Sequence, residues 1–173
     1  VEDLLNVSRI EQGRLSIDAV PTQPEEIVRG VMDELETNAK NKSLAFAFEA
    51  PAAPLPKIAV DPARLKQVLV NIVGNAIKYT PKGSVTVSAY LDDGKVKIKC
   101  TDTGLGMSPQ ARTRLFEKFY RIATDATRTI PGTGLGLWIT KQLVELQKGQ
   151  IYVDSIEGVG TQMSIVFPVI HER

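Results

Sequence analysis

Apolar positions recur at helical spacing between Glu25 and Asn41, where Ile27, Val31, Leu35 and Ala39 fall on one side, so an amphipathic helix is predicted there. A second helix is predicted from Asp61, with Asp61 as N-cap and Pro62 at the first helical position. It ends before "TPKG", because Thr80 precedes a proline. At 100° per residue, Leu65, Val68, Leu69, Ile72, Val73, Ala76 and Ile77 share one broad arc of this helix. "SVTVSAYL" and "KVKIKCTD" alternate with period two, and the "DDGK" between them carries the Asp-Gly signal of a hairpin. "GQIYVDS" and "GTQMSIVFP" read as a second hairpin, and "LAFAFEA" as a lone strand.

The remaining segments are less regular. Val1 to Leu15 has helical composition, with Leu4, Leu5 and Ile10 set among charges. "SIDAVPTQP" reads as a short strand and a loop, and "PAAPLPK" as a loop. Residues 108–121 suggest a short helix and turn, 122–131 a loop, and Gly134 to Lys148 a further helix. This order of helices and hairpins predicts an α+β fold: two layers, with an antiparallel or mixed sheet covered by helices on one face. The chain opens at Val1 inside a helical pattern, which reads as a piece cut from something longer.

Composition narrows the function by exclusion. The 173 residues carry 21 Lys and Arg against 20 Asp and Glu, a net charge of +1, so no global field attracts nucleic acid or anionic lipid. A single cysteine, Cys100, excludes an internal disulfide and a cysteine-based zinc cluster. No apolar run approaches the ~20 residues of a membrane span, and no signal-peptide pattern opens the chain.

The chemistry concentrates in two glycine-rich stretches, "DTGLG" from Asp102 and "GTGLGL" from Gly132. They share Thr-Gly-Leu-Gly, yet one follows a strand and the other precedes a helix, so they are not a duplication. Neither fits the dinucleotide fingerprint or a Walker loop, and each taken alone is an ordinary glycine turn. Asp102 shares a strand face with Val96, Ile98 and Cys100, which turns a carboxylate inward. Its donors are either the amides of the turn that follows or the amino group of a ligand such as adenine. Asn71, Asn75 and Lys78 lie in one line on the helix from Asp61. That line reads either as a solvated polar face or as a seat for hydrated magnesium and phosphates. Glycines running into a helix N-terminus at "PGTGLGL" form an anion site, with "RTI" before them as a mobile cover.

Five motifs in order, "NIVGNAIKYT", "DTGLGM", "FEKFYR", "GTGLGL" and "GVGTQMSIVFP", closely resemble the catalytic, ATP-binding domain of sensor histidine kinases. These belong to the Bergerat-fold (GHKL) ATPase superfamily. The resemblance covers residues from about 15 to 168. It implies that 15–173 form the ATP-binding domain and that 1–14 end the family's dimerisation and phosphoacceptor hairpin. Carried over residue by residue, Asn75 holds Mg2+, while Asn71, Lys78 and Tyr79 lie along the nucleotide. Asp102 takes the adenine amino group, with Gly104 and Gly106 making room for the base. Gly132, Gly134 and Gly136 line the phosphate side, Thr133, Leu135 and Leu137 are counted with them in the nucleotide site, and Thr161 joins the Asp102 network. Arg121 reaches toward the phosphates, or is simply a surface charge. Phe116 and Phe119 pack where sheet meets lid, or serve only as core.

The implied reaction moves the γ-phosphoryl of ATP to a histidine on the hairpin, with Asn71, Lys78 and Arg121 as the catalytic set. Hydrolytic relatives carry a glutamate four residues before Asn75, where this chain has Asn71, an amide that cannot act as a base. The sequence therefore favours transfer over hydrolysis. The acceptor motif itself is absent, and His171, the one histidine, reads as a tail residue. "LQKGQI" stands where relatives often have His-Gly-Gly. The expected partners are the parent's hairpin and a downstream receiver domain, with no nucleic acid and no direct membrane contact. The expected location is cytoplasmic, the parent being free to be membrane-attached. An inactive ATP-binding regulatory module, a gyrase-like ATPase and an anti-sigma-type serine kinase stand as alternatives.

Overall fold

The computed structural model describes residues 2–124, 127, 130 and 132–170. Helix α1 (Glu2–Glu11) is stopped by Gly13, whose φ of +67° no helix interior accepts. Strand β1 (Val20–Thr22) leads into α2 (Pro24–Asn41), which buries Val28, Val31, Met32, Leu35 and Ala39. Strands β2 (Ala45–Glu49) and β3 (Ile58–Val60) follow. β3 was not predicted from sequence. Three residues after a proline-rich loop are too short to show a period, and it exists by pairing antiparallel with β1.

Helix α3 (Pro62–Lys78) begins as predicted. The Asp61 carboxylate accepts from the backbone N–H groups of Ala63 (3.1 Å) and Arg64 (3.4 Å). Its buried residues are Leu65, Val68, Leu69, Ile72, Val73, Ala76 and Ile77, the predicted arc without exception. At its other end the Lys42 ammonium donates to the carbonyls of Ile77 (2.5 Å) and Lys78 (3.0 Å) in the last turn of α3.

Strands β4 (Ser84–Asp92) and β5 (Lys95–Asp102) form the predicted hairpin, with Asp93 and Gly94 both at positive φ in its turn. After α4 (Pro109–Arg114), capped by the Ser108 hydroxyl, and the segment of residues 122–131, here called the lid, comes α5 (Gly136–Leu146). Helix α5 starts two residues later than the sequence suggested, because Gly134 sits at φ +77°. Strands β6 (Gln150–Ile156) and β7 (Gly160–Pro168) close the chain.

The main sheet runs β2-β4-β5-β7-β6, with β2 parallel to β4 and every other pair antiparallel. The β1–β3 ribbon is tied to the end of β7 through an Ile58–Val169 bridge. On one face of the sheet Val85, Val87, Ala89, Val96, Ile98, Ile165 and Phe167 are buried together with the inner faces of α2, α3 and α5. The other face carries Lys95, Lys97 and Lys99. This is the expected two-layer α+β arrangement, and it sets the C-terminal end of β5 between α3 and the start of α5.

Candidate functional site

The period-two expectation places Asp102 at the end of a strand whose inner face is Val96, Ile98 and Cys100. Opposite it in register is Thr161 on β7. One carboxylate oxygen, Oδ1, accepts from the N–H groups of Gly104 (2.9 Å) and Thr161 (3.2 Å). Asp102 also lines a cavity of about 320 Å3, and among the described residues its Oδ2 takes no donor. Of the two sequence readings of Asp102, the amide of the following turn is the one seen on Oδ1. Burial pushes the carboxyl above its ordinary range, and the two amide donors oppose that rise. Thr161 meets Asp102 through its backbone, its hydroxyl being bonded to Ser155 Oγ (2.9 Å).

Helix α3 supplies the second wall. Asn71, Asn75, Lys78 and Tyr79 all border the cavity. The Asn71 amide nitrogen donates to the Thr140 hydroxyl (3.1 Å) and to the Gly136 carbonyl (3.4 Å), both on α5. The Tyr79 carbonyl accepts from Leu105 N–H (3.1 Å), which fastens the turn after Asp102 to the end of α3.

The third wall is the glycine stretch. Gly132, Thr133, Gly134, Gly136 and Leu137 line the cavity, and α5 opens there with its first-turn N–H groups and positive dipole end. Arg121 also borders the cavity and donates to the Ile130 carbonyl on the lid. Asp125, Ala126, Arg128, Thr129 and Pro131 of the lid lie outside the described residues, as does His171.

At three of the expected positions the side-chain space is taken up by the protein itself. Leu135 is 1% exposed and belongs to the core, because its position at the head of α5 turns it away from the cavity. Gly104 does not line the cavity either: a Cβ there would meet Tyr79 O at 2.4 Å and Thr80 Oγ1 at 2.7 Å. The room this glycine makes is filled by the protein's own backbone. Gly106 borders the cavity, but its Cβ would meet Ile156 O at 2.1 Å. Phe116 does pack on the core, whereas Phe119 is 63% exposed.

Sequence reasoning missed the apolar lining. Ile72, Ala76, Cys100, Leu105, Met107 and Met163 give the cavity an apolar lining. The Cys100 thiol is pushed up by burial and by nearby Asp102, so it stays neutral and acts as apolar wall. Asp3 of α1 was missed too: it borders the cavity and accepts from the Thr133 hydroxyl (3.3 Å). An apolar lining with one carboxylate acceptor, joined to amides, glycine backbone and cations, suits a base and its phosphates.

Residues 60–171 match the family described as histidine kinase-, DNA gyrase B-, and HSP90-like ATPase, and the chain belongs to that family. Within it, the chain is an ATP-binding catalytic domain of the sensor histidine kinase type. The sensor histidine kinase RcsC of Escherichia coli K12 is 33% identical over 170 residues, 98% of this chain and 18% of that protein. The chain therefore spans less than a fifth of that relative. Full-length ShkA, solved in complex with AMPPNP, has a TM-score of 0.86 at 32% identity, covering 99% of this chain and 35% of that one. The nucleotide-free catalytic domain of the histidine kinase ThkA gives 0.75 at 25% identity, covering 88% of this chain and 96% of that domain. Among the described residues no helix is long and apolar enough to cross a membrane.

Proposed function

We propose that the cavity binds ATP with the adenine against Asp102 and the phosphates along Asn71, Asn75, Lys78 and the glycine stretch. From there the domain delivers the γ-phosphoryl group to a histidine on a helical hairpin of its parent protein. The observation that carries this reading is Asp102, with one oxygen held by two backbone amides and the other left for a ligand's amino group. ShkA's complex with AMPPNP supports an adenine nucleotide as the occupant.

Magnesium fits the donor set. Among the described residues no three His, Cys, Asp or Glu side chains gather to hold a metal. A cation at the phosphates would thus rest on phosphate oxygens, water and few protein oxygens, the preference of Mg2+. Asn75 is the side chain that would hold it. When bound, Mg2+ neutralises charge on the β- and γ-phosphates. Lys78, Arg121 and the α5 N-terminus add to that neutralisation, and the apolar lining fixes the base, so the phosphoryl group is positioned. An imidazole nitrogen attacks the γ-phosphorus with its own lone pair. The bond to the bridging oxygen breaks, and ADP leaves with that electron pair. No general base is needed from this domain, consistent with an amide at Asn71.

Residues 1–14 we read as the end of that hairpin. Helix α1 exposes Leu4 and Leu5 while packing its other side on α5. The downstream partner is a receiver domain, and the ATP supply places the reaction in the cytoplasm.

The test mixes the domain with γ-labelled Mg-ATP and a separately produced hairpin bearing the acceptor histidine. Acid-labile, base-stable label on the hairpin, absent with Asn75→Ala, is the expected result. Binding without transfer would make this an inactive nucleotide module, and steady phosphate release without the hairpin would make it an ATPase.

A further inference from the structure

The pair formed by Asn71 and Thr140 carries information that the motifs do not. Thr140 sits one turn into α5 and is fully buried. Its hydroxyl has a single hydrogen, and that hydrogen goes to the Gly136 carbonyl at 2.8 Å, since a carbonyl can only accept. Toward Asn71 the Thr140 oxygen therefore shows a lone pair, at 3.1 Å. The Gly136 carbonyl, 3.4 Å from the same Asn71 atom, is a second acceptor. Two acceptors aimed at one atom require that atom to be the NH2 nitrogen. The reversed amide would set oxygen against oxygen twice. The donor count thus fixes which way the amide faces, and it leaves Oδ1 for the cavity.

Resting on the reading of this cavity as a phosphoryl-transfer site, we propose that Thr140 is a positioning residue for that site. With the Gly136 carbonyl it locks Asn71 so that a carbonyl oxygen faces the phosphates. Oδ1 would there be an acceptor for water around a bound Mg2+, and the NH2 group is withheld from the phosphate oxygens. The lock also has a mechanical side. Gly136 is the first residue of α5 and ends the glycine stretch, so Thr140 ties Asn71 on α3 to the phosphate wall.

The test uses Thr140→Val, which keeps the shape and removes the hydroxyl, and Thr140→Ser, which restores it. Thr140→Ala removes the same hydroxyl with less bulk and replaces the valine variant if that fails to fold. The first readout is the side-chain amide 1H–15N signal of Asn71 in the nucleotide-free domain, assigned by its loss in Asn71→Ala. It is expected to shift in Thr140→Val and to return in Thr140→Ser. The second is displacement of a fluorescent ATP analogue by ATP, with a Kd expected within about twofold of wild type, because Thr140 touches Asn71 and not the nucleotide. The third is transfer to the separate hairpin, expected to fall roughly tenfold in kcat, the scale of one lost hydrogen bond, with KM for ATP little changed. Asn71→Ala combined with Thr140→Val should be no slower than Asn71→Ala alone.

An Asn71 signal unmoved by Thr140→Val, a loss confined to Kd, or no rescue by serine would overturn the proposal. If the wild-type domain transfers nothing to any hairpin, the functional reading fails, while the amide signal and the nucleotide Kd still decide whether Thr140 holds Asn71.

Discussion

Phe119 and Gly134 are locked to each other across the base of the lid: the Phe119 N–H donates to the Gly134 carbonyl at 2.9 Å, and both residues have positive φ. A Cβ on Gly134 would meet the Phe119 carbonyl carbon at 2.7 Å and its Cα at 2.8 Å. Those are backbone atoms, which cannot swing aside. Gly134→Ala is therefore expected to cost about 1–3 kcal/mol and to weaken nucleotide binding, as the two ends of the lid separate. Phe119→Gly should do the opposite for stability. It relieves left-handed backbone strain at an exposed side chain and gains up to about 1 kcal/mol. Thermal unfolding of the two variants side by side checks both signs.

Asp102 links nucleotide binding to pH. Its carboxyl is raised by burial, so the folded chain keeps a proton at pH values where the unfolded chain has lost it. This group's contribution to stability is thus largest below the ordinary carboxylate pKa of about 3.9 and declines as pH rises to the raised value. Binding runs the other way, because an amino-group donor needs the ionised oxygen. Nucleotide affinity should weaken as pH falls through the raised pKa. Asp102→Asn presents an NH2 group to the base and should lose roughly 10- to 100-fold in affinity. The free variant should be the more stable one at neutral pH. Calorimetric titration across the acidic range, with unfolding at the same pH values, measures both effects.

The predicted apolar arc of α3 matches the buried set residue for residue, and Asp102 turns inward as its strand period requires. Periodicity could supply these because they depend on local geometry. Leu135 and Gly104 sit in motif positions yet do not reach the cavity, because helix α5 buries one and the Tyr79 carbonyl occupies the space beside the other. Asp3 and Thr140 were invisible for the complementary reason. Each reaches the site only through helix packing, and neither stands in a recognisable pattern. The parallel pairing of β2 with β4 is likewise a long-range choice that no single strand announces.

Asp3 places a carboxylate beside Thr133 on the cavity wall proposed to hold the phosphates. Like charges in a partly solvated site repel modestly, so Asp3→Asn should tighten ATP binding about two- to fivefold at low salt. The gain should vanish at high salt, where the Debye length shrinks to about 3 Å. Affinities measured at both salt concentrations separate this effect from a local loosening of α1, which salt would not erase.

Lys42 closes the end of α3 that bears Asn75, Lys78 and Tyr79. Removing its ammonium leaves the carbonyls of Ile77 and Lys78 without that donor. Lys42→Met is expected to lower stability by about 1 kcal/mol, seen as a lower urea midpoint at unchanged slope.

The bond from Thr161 N–H to Asp102 joins residues 59 positions apart, across α4, the lid, α5 and β6. Each hairpin of the sheet can form early and locally, but the β5–β7 pairing must wait for that long loop to close. The Asp102–Thr161 side of the cavity is thus expected to assemble late in folding and to be lost early on unfolding. ATP then stabilises only chains that have completed this step, adding RT ln(1 + [ATP]/Kd) to the native state alone. In refolding, nucleotide should leave the folding rate nearly untouched and slow unfolding instead.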